Sequence, residues 1–127
     1  HLLTNVPGSS GYFLFSGVTY SNEAKTKVLG VSSQALKQYG AVHEEIVKQM
    51  AQGARRVAGA TYGLATSGIA GPDGGTDEKP VGTVCIGLAT PHEVKGFGFV
   101  FPFNTRLMNK RIFAMKALDL LRRELQD

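Results

Sequence analysis

The sequence predicts a three-layer α/β sandwich in a single domain. Three observations lead there. The chain has 127 residues, room for one compact domain and little more. Segments with apolar residues at three- and four-residue spacing alternate with short runs of branched and aromatic residues, with no internal repeat. Hydrophobic residues make up 43% and charged residues 19%, with 16 Gly and 5 Pro, a balance that excludes collagen-like, coiled-coil and disordered chains.

The elements follow in order. His1 to Thr4 read as the last turn of a helix, stopped by Asn5 and the Pro7-Gly8 pair. Residues 12 to 20, YFLFSGVTY, are aromatic and branched and follow PGSSG, which predicts a strand. A short helix is expected from Asn22 to Leu29, closed by Gly30, and another from Ser33 to Gly40. From His43 to Ala58, the residues Ile46, Val47, Met50, Ala51, Ala54, Val57 and Ala58 repeat at helical spacing and mark a core-facing helix. Thr61 to Ser67 fits a strand buried on both faces, running into the glycine-dense loop 68 to 80. Val81 to Thr90 and Glu93 to Phe101 predict an antiparallel hairpin around Pro91-His92. In its second strand Phe97, Phe99 and Phe101 alternate with Gly96, Gly98 and Val100, giving one bulky face and one open to close backbone approach. A long helix from Thr105 to Gln126 carries Leu107, Met108, Ile112, Met115, Leu118, Leu121 and Leu125.

Composition narrows the function. The formal charge of +4, from 14 Lys+Arg against 10 Asp+Glu, favours phosphate-bearing ligands. A nucleic-acid partner is not expected: Trp is absent and the basic clusters, Arg55-Arg56, Lys110-Arg111 and Arg122-Arg123, are short. No apolar run approaches the roughly 20 residues of a membrane span, and the opening residues lack a signal-peptide layout. With Cys85 as the lone cysteine, a reducing cytoplasmic location is expected and no Cys-rich metal site can form.

The chemistry-bearing residues are few. Neither a Walker loop nor a dinucleotide fingerprint is present. Gly68, Gly71, Gly74 and Gly75 could present backbone amides to an anion, or form a plain surface turn. In YSNEAK, residues 20 to 25, helical spacing of about 100° per residue places Ala24, Val28 and Leu29 on an apolar arc with Lys25 inside it and Lys27 outside. Turned inward, Lys25 would lose its charge readily and serve as a general base; at the edge of the arc, it would reach out to water. His43 reads as a helix cap, Cys85 as a buried inert thiol, and Asp73, Asp77 and Glu78 as a solvated loop; no pair has metal-ligand spacing.

The strings VPGSSGYFL, GVTYSNEAKTKVLGV, YGAVHEEI, SGIAGPDGGTDEKPVGTVCIGLA and AMKALDLLRREL resemble, in this order and over nearly the whole chain, the C-terminal domain of CinA proteins. The resemblance implies a three-layer α/β/α fold with a mixed sheet. It implies the activity of bacterial nicotinamide-nucleotide amidases, serine/lysine amidohydrolases that convert nicotinamide mononucleotide to nicotinate mononucleotide and ammonia, without metal or cofactor. By the same resemblance Lys25 is the catalytic base, Tyr20 the active-site tyrosine, and Ser67 keeps a hydroxyl where the family usually has threonine. Arg106 corresponds to the family's arginine before the last helix, a partner for the nucleotide phosphate. Its approach differs: Phe-Pro-Gly-Asp-Arg becomes Phe101-Pro102-Phe103-Asn104-Thr105-Arg106.

The family's nucleophilic serine lies in a Glu-Ser-Cys-Thr-Gly-Gly string that nothing in these 127 residues matches. The expectation is that a first strand and the start of a first helix, carrying that serine, lie upstream in the full protein; Ser9, Ser10 and Ser21 are not expected to replace it. The other class of function is a non-catalytic nucleotide-binding or assembly module. A small nucleotide is the expected partner, with self-association into a homo-oligomer.

Overall fold

The computed structural model of the chain describes residues 1–103 and 105–126; Asn104, in the approach to Arg106, lies outside them. Two short 3-10 turns, Leu3–Asn5 and Ser9–Gly11, open the chain. Helices α1 (Asn22–Leu29), α2 (Ser33–Tyr39) and α3 (Glu44–Ala58) precede strands β1 (Gly63–Gly68), β2 (Thr83–Ala89) and β3 (Val94–Val100), and α4 (Arg106–Gln126) closes the fold. Capping chemistry sets the helix limits. Ser21, Ser32 and the His43 ring each accept a backbone N–H in the first turn of α1, α2 and α3, and glycines 30, 40 and 59 end them.

The sheet runs β1-β2-β3, antiparallel throughout. Strand alternation separates two cores. Ala65, Cys85 and Ala89 face α1, α2 and α3, where Ile46, Val47 and Ala51 are buried. Val84 and Ile86 face α4, meeting Phe113 and Ala117, with Leu64, Phe97 and Phe99 at the border. Helical layers thus lie on both sides of the sheet, giving the expected α/β/α sandwich in one domain.

Small residues explain how closely α3 approaches. A Cβ on Gly87 would strike the Val47 carbonyl, and one on Gly63 the Ala51 carbonyl, while Gly96 faces Glu44 and Lys48 at 3.1 Å. The open face expected at Gly96 and Gly98 therefore extends across all three strands. On the opposite face Phe97, Phe99 and Phe101 form a ladder with centroids 6.5 and 6.1 Å apart, continued to Phe113.

Val57, expected on the core face of α3, is exposed beyond the reach of the sheet, and four further expectations of the fold need correction. Residues 12 to 20 carry no strand; their composition favours strand backbone, but a strand exists only where a neighbour supplies hydrogen bonds, and no described strand pairs with them. For the same reason the described sheet is antiparallel, not mixed. β1 is only part-buried, because among the described residues it pairs on one side alone. The buried side of α4 is Asn109, Phe113 and Ala117, whereas Leu107, Met108, Met115 and Leu125 are exposed. Apolar residues occupy more than one side of that helix, and a narrow sheet covers only one.

Candidate active site

The junction before α1 places Lys25. Ser21 Oγ accepts from Ala24 N (3.0 Å) and starts the helix one turn ahead of the lysine. Lys25 and Leu29, four residues apart, form the buried side of α1, while Lys27 pairs outside with Glu23 at 2.6 Å. Val28, expected inside, is exposed. The helix is pinned against α3: a Cβ at Gly53 would strike the Leu29 carbonyl, which also accepts from Arg56 at 3.0 Å.

Lys25 is 6% exposed. Its Nζ donates to the carbonyl of Thr19 (2.8 Å) and more weakly to that of Tyr20 (3.4 Å). Burial pushes its pKa below the ordinary lysine value, and the Tyr20 side chain pulls the other way. A neutral amine has two N–H groups and one lone pair, so two carbonyls satisfy its donors and leave the lone pair for an incoming hydroxyl. Protonated, the amine would carry a third N–H without a partner among the described residues, while both carbonyls accept from either form.

Tyr20 is 80% exposed, and its hydroxyl accepts from Arg106 at 3.2 Å. Arg106 also donates to the Gly71 carbonyl at 2.9 Å. Tyr20, Lys25, Gly71 and Arg106 are thus brought together by one connected set of bonds, although 86 residues separate Tyr20 from Arg106. Ser67 lies opposite Cys85 in the ladder, and its hydroxyl makes no hydrogen bond among the described residues. Gly68 ends β1 opposite Val84. Gly71 (φ 85°) and Gly75 pack on Val81, where a Cβ would come within 2.6 and 2.8 Å of it; Gly74 (φ 96°) is exposed in the same loop. A Cβ on Gly68 would likewise come within 2.7 Å of Phe113, so close packing is a reason for three of these glycines apart from any ligand.

Two further anchors hold this loop, and neither was legible in the sequence. Lys79 Nζ donates to the Tyr39 carbonyl at 3.0 Å, and Asn109 Nδ2 donates to the carbonyls of Ala70 (2.9 Å) and Phe103 (3.2 Å). His43 caps α3 through Nδ1 and stacks on Tyr39 at 4.3 Å, a structural role as expected. Cys85 is buried, and burial first, then the Glu44 carboxylate, pushes its thiol up, with Lys79 opposing. Among the described residues no group of His, Cys, Asp and Glu could hold a metal ion, and no helix is long and apolar enough to cross a membrane.

Two surface grooves lie elsewhere. One of about 1080 Å³ runs between the end of α3 and the β2–β3 turn, by Arg55, Arg56 and His92. The other, about 370 Å³, lies between α1 and α2, by Glu23 and Leu36. Neither contains Lys25 or Arg106, so the site is assigned by its chemistry and bonding.

Comparison with known proteins agrees in fold and sequence. Residues 1–125 match the family described as the CinA C-terminal domain. A CinA-like protein of Desulfosudis oleivorans is 68% identical over 124 residues, covering 98% of this chain and 30% of the relative. One from Desulforapulum autotrophicum is 59% identical, with 98% and 29% covered. The chain therefore spans about three-tenths of the length of these curated relatives. The crystal structure of the competence/damage-inducible protein CihA from Agrobacterium tumefaciens superposes with a TM-score of 0.90 at 36% identity, over 94% of this chain and 73% of that one. The competence damage-inducible protein A of Klebsiella pneumoniae gives 0.89 at 31% identity, over 98% and 76%.

Proposed function

Because the chain belongs to the CinA C-terminal domain family, we propose that it is the catalytic part of an amidohydrolase that deamidates nicotinamide mononucleotide to nicotinate mononucleotide. The observation that carries this reading is Lys25, buried with its Nζ donating to the Thr19 and Tyr20 carbonyls. In this mechanism the neutral amine takes the proton of a serine hydroxyl, the serine expected upstream of His1 in the full protein. The alkoxide attacks the carboxamide carbon, and the Lys25 ammonium returns the proton to the departing nitrogen, which leaves as ammonia. A water molecule, deprotonated by the same amine, then cleaves the ester and releases the carboxylic acid. Arg106, held at Gly71 and Tyr20, keeps further N–H groups for the nucleotide phosphate. The Tyr20 hydroxyl borders the same space.

The test measures ammonia and nicotinate mononucleotide from the full protein given nicotinamide mononucleotide. Equal amounts of both products are expected, with turnover lost in Lys25→Arg, whose guanidinium stays charged. Retained turnover in that variant refutes the base. Binding of the nucleotide without turnover by the wild type would instead favour a non-catalytic nucleotide-binding module.

A further inference from the structure

Asn109 stands one turn into α4 and is 0% exposed. Phe113 and Ala117 follow it on the same buried side at four-residue steps, so an apolar residue would be the ordinary occupant. Instead the position holds an amide whose Oδ1 is buried without a hydrogen-bond partner among the described residues. Such an acceptor is a cost to folding. What the side chain achieves lies in its other half, where Nδ2 grips the carbonyls of Ala70 and Phe103 at 2.9 and 3.2 Å.

Those two carbonyls flank the arginine. Ala70 precedes Gly71, whose carbonyl accepts from Arg106 at 2.9 Å; Phe103 lies in the short approach to Arg106 itself. The first turn of α4 therefore holds neighbouring carbonyls of the glycine-rich loop with side chains three residues apart. From this juxtaposition we infer that Asn109 is a positioning residue for substrate binding: by fixing the Ala70–Gly71 segment it sets the direction of the Arg106 guanidinium toward the nucleotide phosphate. The inference rests on the amidase reading for its substrate, but the clasp itself is independent of that reading. Lys25 belongs to the opposite helical layer, so the effect of Asn109 falls on binding and leaves the base in place.

The test uses the full protein with Asn109→Leu, Arg106→Gln and the double variant. Asn109→Leu is expected to raise KM for nicotinamide mononucleotide about tenfold with kcat changed less than about threefold. The double variant is expected to match Arg106→Gln alone, because a residue acting through Arg106 adds nothing once Arg106 is gone. An unchanged KM, or effects that multiply, would overturn the proposal. Amide hydrogen exchange supplies a readout without turnover: peptides spanning residues 69–75 should exchange about tenfold faster in Asn109→Leu while those of α1 and α3 do not change. Unaltered exchange there refutes the clasp even if the wild type releases no ammonia, a result that would count against the amidase reading alone. Should leucine prevent folding, Asn109→Ser, too short to reach both carbonyls, is read in the same two assays. A KM rise of about threefold with faster loop exchange supports the proposal, and wild-type values in both refute it.

Discussion

Replacing Lys25 by methionine separates catalysis from stability. The thioether chain keeps the length and loses the amine, deleting two hydrogen bonds, at 2.8 and 3.4 Å, to the Thr19 and Tyr20 carbonyls. At about 1 kcal/mol net for each such bond, the loss of stability is bounded near 2 kcal/mol, and removing a buried amine offsets part of it. On the amidase reading the catalytic loss is larger: removing a general base costs about 10²- to 10⁴-fold, or about 3 to 5 kcal/mol in the barrier. The two effects also differ in pH dependence. The native pKa of Lys25 lies below its ordinary value of 10.5, so between the two values the unfolded chain binds the extra proton, and native stability rises with pH. Wild type should therefore gain on Lys25→Met as pH climbs through that window, and the difference between them should be constant below it. Urea unfolding of both proteins across the window, beside ammonia release from nicotinamide mononucleotide, measures each quantity. A stability difference that ignores pH, or more than a tenth of wild-type turnover in the variant, would refute the reasoning.

Gly87→Ala is expected to destabilise by about 3 kcal/mol or more, because the new Cβ meets the Val47 carbonyl and α3 must lift from the sheet. Gly11→Ala, where nothing lies within 4 Å, should stay within about 1 kcal/mol of wild type; equal urea midpoints for the two would show that α3 is not seated so closely. Cys85, buried and with its thiol pushed up, should alkylate with iodoacetamide at least about a hundredfold more slowly in native protein than in urea. Similar rates would mean that β2 opens readily.

The helices and the hairpin were legible because their signals are local: serines 21 and 32 and the His43 ring start helices, and Gly30, Gly40 and Gly59 end them. Residues 12 to 20 misled because aromatic and branched composition reports what a backbone prefers, while a strand depends on a neighbour that composition cannot name. Lys25 was half legible. Periodicity set it within an arc that counted Val28 as inward, whereas the side of α1 that packs on α3 is Lys25 and Leu29, with Val28 outside. Family strings singled out the lysine; its lowered pKa is a consequence of burial. Asn109 offered no signal, since an asparagine in the first turn of a helix ordinarily faces water, and only the fold of the loop over α4 buries it.

The site draws its parts from two layers that the sheet keeps apart. Lys25 depends on α1, which Gly53 and Arg56 bind to α3, and α3 in turn sits on the glycine face of the sheet. Arg106 depends on α4, on the other face, and on a loop that leaves the end of β1 and is caught by Asn109. The bond from Arg106 to the Tyr20 hydroxyl is the point where the two supports meet, and it lies at the surface, where a hydrogen bond contributes little to folding. A nucleotide phosphate could therefore draw Arg106 away from Tyr20 at small cost while the amine stays seated. On the amidase reading, that arrangement would let the exposed bond to Tyr20 give way to a charged ligand while the Gly71 carbonyl still holds Arg106 and Lys25 keeps its place.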